Sequence, residues 1–363
     1  MNTGDRRSEK KDYTMKKVLY MNLLYDNVGA KYLDENIIES LSKYYDVTVA
    51  YPNGGYTRLP SNIQEYKFRY LFKNANTSYL ELLIETLHLL QIAIKLDKKL
   101  GFDYLFFASY ETYTFCLSFL FKNRGKRVFI IENNNIDLTE QNRFKPFFYN
   151  LYTRKVNHVV LDEFIVPHLL KRYRIPKDKV FFISHPVNEL AGFENEKKYD
   201  VVGISNSNNQ ELISQFIEQE KKLGTVKNEK LTVILRSSRE EYDNGYLKVF
   251  KGYLPHEIYD QYIKNAKIIY LPFPKSFRYR MSGSLVDAFS NNIKIIGSKI
   301  PIFLYYEKKY PHICKTIDSA DKFMDALHTL NRVDKDSISE FSDFRTSHSK
   351  EKLDDTLTSI FGI

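Results

Sequence analysis

Short apolar runs recur along this chain, each followed by a longer segment of helical period, and this alternation restricts the fold more than any other feature. Strands that read as near-continuous apolar runs belong to parallel sheets covered on both faces by helices. Lys17–Leu23, Asp46–Tyr51, Tyr104–Ala108, Arg127–Glu132, His158–Leu161 and Val180–Ser184 are the expected strands of the first half. Helices are expected near Lys31–Tyr44, over Ser78–Leu100 and from Asp162 to Ile175, the last ending before Pro176. In Ser78–Leu100 the polar residues Glu81, Glu85, His88, Gln91 and Lys95 return at helical spacing, which makes His88 a surface residue.

The alternation starts again at Tyr199–Ile204. Strands at Leu231–Leu235, Lys267–Leu271 and Lys294–Gly297 then interleave with helices at Asn209–Leu223, Pro255–Asn265 and Ser284–Asn291. A chain of 363 residues accommodates two domains of ordinary size. The expected division is a polar leader over 1–14, a first Rossmann-like domain over 15–190 and a second over 191–340. A C-terminal helix within 341–363 is expected to return to the first domain. The crossing falls near His185–Lys198, where a proline, a glycine and several charges collect.

Cys116 and Cys314 stand far apart and flank no metal-ligand spacing, so both are read as buried thiols. Neither a secretory leader nor a membrane-spanning run is visible, which points to the cytoplasm. Residues 1–185 carry 28 Lys and Arg against 20 Asp and Glu, and residues 186–363 carry 26 against 25, so the excess cation lies in the first half. There Tyr66–Lys73 and Arg143–Tyr149 mix cations with aromatic rings, a composition suited to an anionic membrane surface at the inner face of the plasma membrane. A solvated face with the rings turned inward is the competing reading. No nucleic-acid module accompanies the charge, so nucleic acid is not an expected partner.

The chemistry concentrates in Tyr270–Phe289. A buried strand ends at Pro272, a loop with Arg278 and Arg280 follows, and Ser282-Gly283-Ser284 opens a helix. Amides at a helix N-terminus favour an anion such as a diphosphate, Gly283 allows close approach, and the serines add hydroxyls. The arginines suit the charge building on a departing diphosphate. Asp287, one turn in, is placed for a ribose diol. Ser282 acting only as a cap is the plainer alternative.

This order of strand, loop and helix beginning Ser282-Gly283-Ser284-Leu285-Val286-Asp287-Ala288, followed by Asn292–Gly297, resembles the donor site of the retaining GT-B glycosyltransferases. That group includes many bacterial capsule, exopolysaccharide and O-antigen enzymes. Val249–Tyr259, with Gly252, Tyr253 and Leu254, looks like the family's loop for the nucleotide base. Gly203, Ser205 and Asn206 are similar to its phosphate-side loop. The resemblance implies an α/β fold of the GT-B type, two Rossmann-like domains with parallel sheets facing across a cleft. It also implies transfer of a sugar from a nucleotide-diphosphate donor to a glycan or lipid-linked acceptor, with retention and no obligatory metal. The nucleotide sugar is a co-substrate, and no cofactor is expected.

Two departures stand out. Where the family commonly carries glutamates at E-x7-E, this chain has Tyr279 and Asp287. The diphosphate-holding cations have no unambiguous counterpart; Arg236 matches best, with Arg239 and Lys248 as competitors. In the first half, Ile130–Asp137 resembles an I-E-H-N-N-I-D segment with Asn133 at the histidine position. Any acid or base role there falls to Glu132 or Asp137, with Glu111 a rival after another strand, and Asn133 and Asn134 become acceptor contacts. Asn27 and Gly29, after the first strand, are assigned to the acceptor side as well. A nucleotide-sugar epimerase on the same fold and a non-catalytic partner subunit are the alternatives.

Overall fold

The computed structural model describes residues 15–24, 31–52, 55–56, 58–72, 78–190, 197–252, 254–331 and 335–361. Asn27, Gly29 and Tyr253 lie outside the described residues, as does the expected leader. The first sheet contains β1 (Lys17–Asn22), β2 (Asp46–Pro52), β3 (Gln64–Phe68), β4 (Tyr104–Ser109), β5 (Val128–Ile131), β6 (Asn157–Val160) and β7 (Val180–Phe182). Their spatial order is β3-β2-β1-β4-β5-β6-β7, with every pairing parallel.

The second sheet contains β8 (Tyr199–Gly203), β9 (Val233–Ser237), β10 (Tyr242–Asp243), β11 (Leu247–Lys251), β12 (Ala266–Leu271), β13 (Lys294–Ser298) and β14 (Cys314–Ile317). The order is β10-β11-β9-β8-β12-β13-β14, parallel except for the short β10–β11 pair. Both sheets are doubly wound, with the chain reversing direction between β1 and β4 and again between β8 and β12.

Each sheet is buried on both faces, which is why its strands read as unbroken apolar runs. In β1, Leu19 and Met21 join one core and Val18 and Tyr20 the other. In β12, Ile269 and Leu271 face one core and Ile268 and Tyr270 the opposite one. The helix Tyr79–Leu100 lays Leu89, Leu90, Ala93 and Leu96 on the first sheet. A capping box of Ser78 and Glu81 starts it, and Gly101 ends it at φ 65°, a left-handed turn that glycine takes without a Cβ penalty. The expected helix from Asp162 to Ile175 is shorter, a 3-10 turn over Glu163–Ile165 and a helix over Val166–Arg172. Asp162 and Pro176 bracket it as start and stop. Cys314 is buried as expected, whereas Cys116 is only half-buried.

The domains are joined by packing as well as by chain. Phe164 and Met281 each pack against a core of either domain. The backbone passes between domains near Ser184–Leu190, where the Val187 amide donates to His348 O at 2.9 Å. It then returns: the helix Lys350–Phe361 places Leu353 and Leu357 in the first domain's core, and Lys350 pairs with Glu39 at 2.6 Å. Between the domains Tyr306 donates a hydrogen bond to Asp162, which is 3% exposed.

Burial pushes the Asp162 carboxyl up to about 6. Such a group holds its proton in the folded chain beyond the pH at which the unfolded chain releases it. Its stabilisation is therefore present below about pH 4 and lost as pH rises through about 6. Asp162→Asn does not ionise, and its melting free energy relative to the native chain is expected to rise by up to about 3 kcal/mol between about pH 4 and 7.5. Denaturant melts of both proteins across that range check this; a difference that stays constant with pH rejects it.

Candidate functional site

Ligands in open parallel sheets collect beyond the carboxyl ends of the strands, where the strand order reverses. In the second domain that place lies between the loop after β8 and the loop after β12. Gly203 ends β8 so close to β12 that a Cβ there would stand 2.9 Å from Tyr270 O. The loop that follows is fixed by Asn208, whose Nδ2 donates to Gly203 O at 2.8 Å and to Arg236 O at 3.2 Å. Ser205 is half-buried and Asn206 exposed at its rim. Arg236 donates from Nε to Gly252 O at 2.6 Å, which ties the ends of β9 and β11 together. Gly252 has φ 116°, and Leu254 beyond it packs on the core.

After β12 the chain enters the Pro272–Met281 loop and then the helix Gly283–Ser290. Ser282 caps that helix, its Oγ accepting from Leu285 N at 3.3 Å. The cap takes one amide and leaves others: among the described residues the N–H groups of Gly283 and Ser284 donate to no protein acceptor. Gly283 is exposed, and a Cβ there would meet nothing within 4 Å. The amide end of this helix is therefore open.

Asp287 is half-buried and held by protein partners. Its Oδ1 accepts from Asn188 Nδ2 at 2.9 Å and its Oδ2 from Tyr259 OH at 3.1 Å, and Ser284 Oγ lies 3.0 Å from the same hydroxyl. Burial pushes this carboxyl up to about 6. The carboxylate joins the helix to the interdomain segment and to the helix His256–Lys264.

The arginine loop is clasped by the other domain. Asp137, in the first-domain helix Asn135–Gln141, is 2% exposed. Its oxygens accept from the backbone amides of Arg278 at 3.0 Å and Tyr279 at 2.8 Å, and Arg280 Nε stands 3.3 Å away. Arg278 reaches Glu140 at 3.5 Å, and Glu140 also holds His168 at 2.6 Å. The Tyr279 ring stacks on His168 with centroids 3.6 Å apart. Burial raises the Asp137 carboxyl, opposed by the two amides and Arg280. Asp137 thus serves as an interdomain anchor, each oxygen accepting from a backbone amide. Arg280, expected on a diphosphate, pairs with Asp137; Arg278 is about half exposed.

Two further carboxylates nominated as acids or bases are also structural. Glu132 is fully buried, accepting from Tyr110 OH at 2.9 Å and Tyr149 OH at 2.8 Å, with His158 Nδ1 at 2.7 Å. His158 Nε2 lies 2.6 Å from Thr153 O. Nothing outside the protein reaches Glu132, so it supports the turn that follows β5. Glu111 caps Tyr113 N and pairs with Lys145 Nζ at 2.6 Å, both side chains buried. What remains at the end of β5 is Asn133 and Asn134, half-buried, with side chains that bond to no other described residue.

Sequence reasoning missed Tyr110, Tyr149, His158, Glu140 and His168. They belong to pairs far apart in the chain that no local spacing announces. At the first sheet's reversal point Ser109 hydrogen-bonds Asn22, another pair it did not single out. Among the described residues no three His, Cys, Asp or Glu side chains gather as a metal site, and no helix is long and apolar enough to cross a membrane.

No family model matches the chain, and no curated protein sequence matches it. Solved structures do. A glycosyltransferase from Rickettsia africae superposes with a TM-score of 0.64 at 11% identity, covering 96% of this chain and 98% of its own. The UDP-N-acetylglucosamine 2-epimerase from Rickettsia bellii gives 0.59 at 13% identity, with 95% and 96% covered. Arabidopsis thaliana UGT89C1 complexed with UDP gives 0.59 at 8% identity, with 95% and 100% covered. At such identities the likeness establishes the fold alone, the GT-B arrangement of two Rossmann-like domains.

Removing the Asp137 carboxylate leaves two amides without their acceptor and a guanidinium without its charge partner. Asp137→Ala is expected to destabilise the chain by about 2–4 kcal/mol. It should also speed hydrogen exchange at the Arg278 and Tyr279 amides ahead of the β12 amides. Exchange that stays slow at those two positions contradicts the clasp.

Proposed function

We propose that this chain moves a glycosyl group from a nucleoside-diphosphate sugar to a glycan or lipid-linked acceptor in cell-surface polysaccharide or glycoconjugate synthesis, in the cytoplasm. The observation that carries the reading is the open amide pair of Gly283 and Ser284 at the second sheet's reversal point. Two unsatisfied donors at the positive end of a helix, beside the open space at Gly283, form a seat for a diphosphate. The fold of nucleotide-sugar enzymes supports the same assignment.

In this reading the diphosphate rests on those amides and Arg278 closes over it from the loop. The bond between the anomeric carbon and the diphosphate oxygen breaks, the electron pair leaving with the diphosphate, and the acceptor hydroxyl oxygen bonds to the same carbon. Glu111, Glu132 and Asp137 each hold other partners, so the hydroxyl proton passes to the departing phosphate oxygen. A leaving group that takes the proton on the face it departs from is compatible with retention. Charge stabilisation comes from the helix end and arginine, and the reading requires no metal. Asn133 and Asn134, at the end of β5, are the acceptor contacts of this scheme.

A second reading has specific support. The Asp137 clasp and the Tyr279–His168 stack fill the loop that carries the departures from the E-x7-E pattern, which favours a fold retained for binding without turnover. The epimerase reading predicts conversion of a donor sugar with no acceptor present.

Melting in a panel of UDP, GDP, dTDP, ADP and CMP tests the seat. A nucleotide at about 100 times its dissociation constant is expected to add about 2.7 kcal/mol. Gly283→Asp sets a carboxylate in the open space, where an acidic first-turn residue suits the helix but repels a diphosphate. The variant should melt no lower than the native chain without ligand, yet lose the nucleotide shift. An undiminished shift in Gly283→Asp would falsify the seat.

A further inference from the structure

Among the described residues thirteen large apolar side chains are exposed in the first domain against four in the second. The excess is local. Leu80 opens the helix Tyr79–Leu100, Phe119 and Leu120 end the 3-10 turn Cys116–Leu120, and Phe144, Phe147 and Leu151 line the helix Lys145–Tyr152 and its start. These pieces pack side by side, the helix Tyr79–Leu100 against Thr112–Phe115, and both that segment and the 3-10 turn against Lys145–Tyr152. Ring contacts run through them, Tyr79 to Tyr113 at 6.3 Å, Tyr113 to Phe148 at 4.8 Å and Phe148 to Phe147 at 5.4 Å. An apolar area of this kind, continuous and unburied, marks an interaction surface.

Its charge is mainly positive, the Glu81 carboxylate beside Leu80 being taken up by the capping box at Ser78. Residues 113–131 and 142–155 contain no Asp or Glu, while Lys122, Lys126, Arg143, Arg154 and Lys155 stand exposed among them. A twofold contact with a second copy would set these cations against each other. Nucleic acid would answer the charge and leave Leu80, Leu120 and Leu151 in water. An anionic bilayer answers both, with rings and leucines at the depth of the headgroups and cations on the phosphates.

We infer that this face docks on an anionic lipid bilayer. The surface is independent of the chemistry in the cleft, though it lies near it: the helix Asn135–Gln141, which carries Asp137, packs on the helix Lys145–Tyr152. Docking there holds the interdomain opening close to the membrane, where an acceptor with a lipid tail would be presented.

Co-sedimentation of the full chain with vesicles tests this. Retention is expected on phosphatidylcholine containing about 30% phosphatidylglycerol and little on phosphatidylcholine alone. Phe144→Ser with Phe147→Ser should lower partitioning at least about tenfold. Arg143→Gln with Arg154→Gln should lower it about tenfold on anionic vesicles only. All four side chains are exposed, so both variants should melt like the native chain and keep any nucleotide shift, which separates this surface from the cleft. Three results overturn the inference: no retention of the native chain on anionic vesicles, equal retention of the phenylalanine variant, or self-association in the absence of lipid that this variant abolishes.

Discussion

A parallel sheet covered on both faces leaves its central strands few polar positions except at their ends, and much of the molecule follows from that restriction. Side chains above and below β1, β4, β8 and β12 are committed to four apolar cores. Polar groups are therefore displaced to the loops beyond the carboxyl ends, and there the two domains meet. The same displacement brings Glu132, Ser109 and Gly203 to the ends of their strands. Whether each then serves a ligand or the protein is decided by what the opposite loop supplies.

Here the opposite loop supplies a great deal. The Pro272–Met281 loop would expose two backbone amides and two guanidinium groups if it faced water. Asp137 accepts from the amides and pairs with Arg280, and Glu140 stands 3.5 Å from the half-exposed Arg278, so an acidic helix of one domain takes the place of solvent at this loop. A buried carboxylate with two amide donors is far less costly than one without them, which explains why Asp137 tolerates near-complete burial. The helix end at Gly283 receives no comparable partner. That contrast between a filled loop and an open helix terminus, a few residues apart, gives the site its polarity.

How much of this was readable in the sequence depended on the range of the interaction. Strands such as β1 and β12 announced themselves because burial on both faces makes them apolar without interruption. β3 did not: Gln64–Phe68 is an edge strand whose residues face water except Phe68, so its composition is that of a loop. The helix Lys145–Tyr152 also went unread, although Lys145, Tyr149 and Tyr152 recur at helical spacing on its buried side. Cap chemistry at Ser78, Gly101 and Ser282 is local and was legible. The partners of Glu132, Asp137 and Asp287 are not local. Asp137 meets residues more than a hundred positions away, and whether a carboxylate is free or committed depends on such pairings. Spacing therefore located the strand ends and could not tell which of the acids standing there are committed to protein partners.

The returning helix Lys350–Phe361 bears on biogenesis. Leu353 and Leu357 belong to the same apolar cluster as Val18, Ile37 and Phe106. As the chain emerges from the ribosome, the first domain must wait for its last cover until the whole second domain has been translated. A growing chain of this topology leaves the seat of Leu353 and Leu357 on that core bare while the second domain is being made.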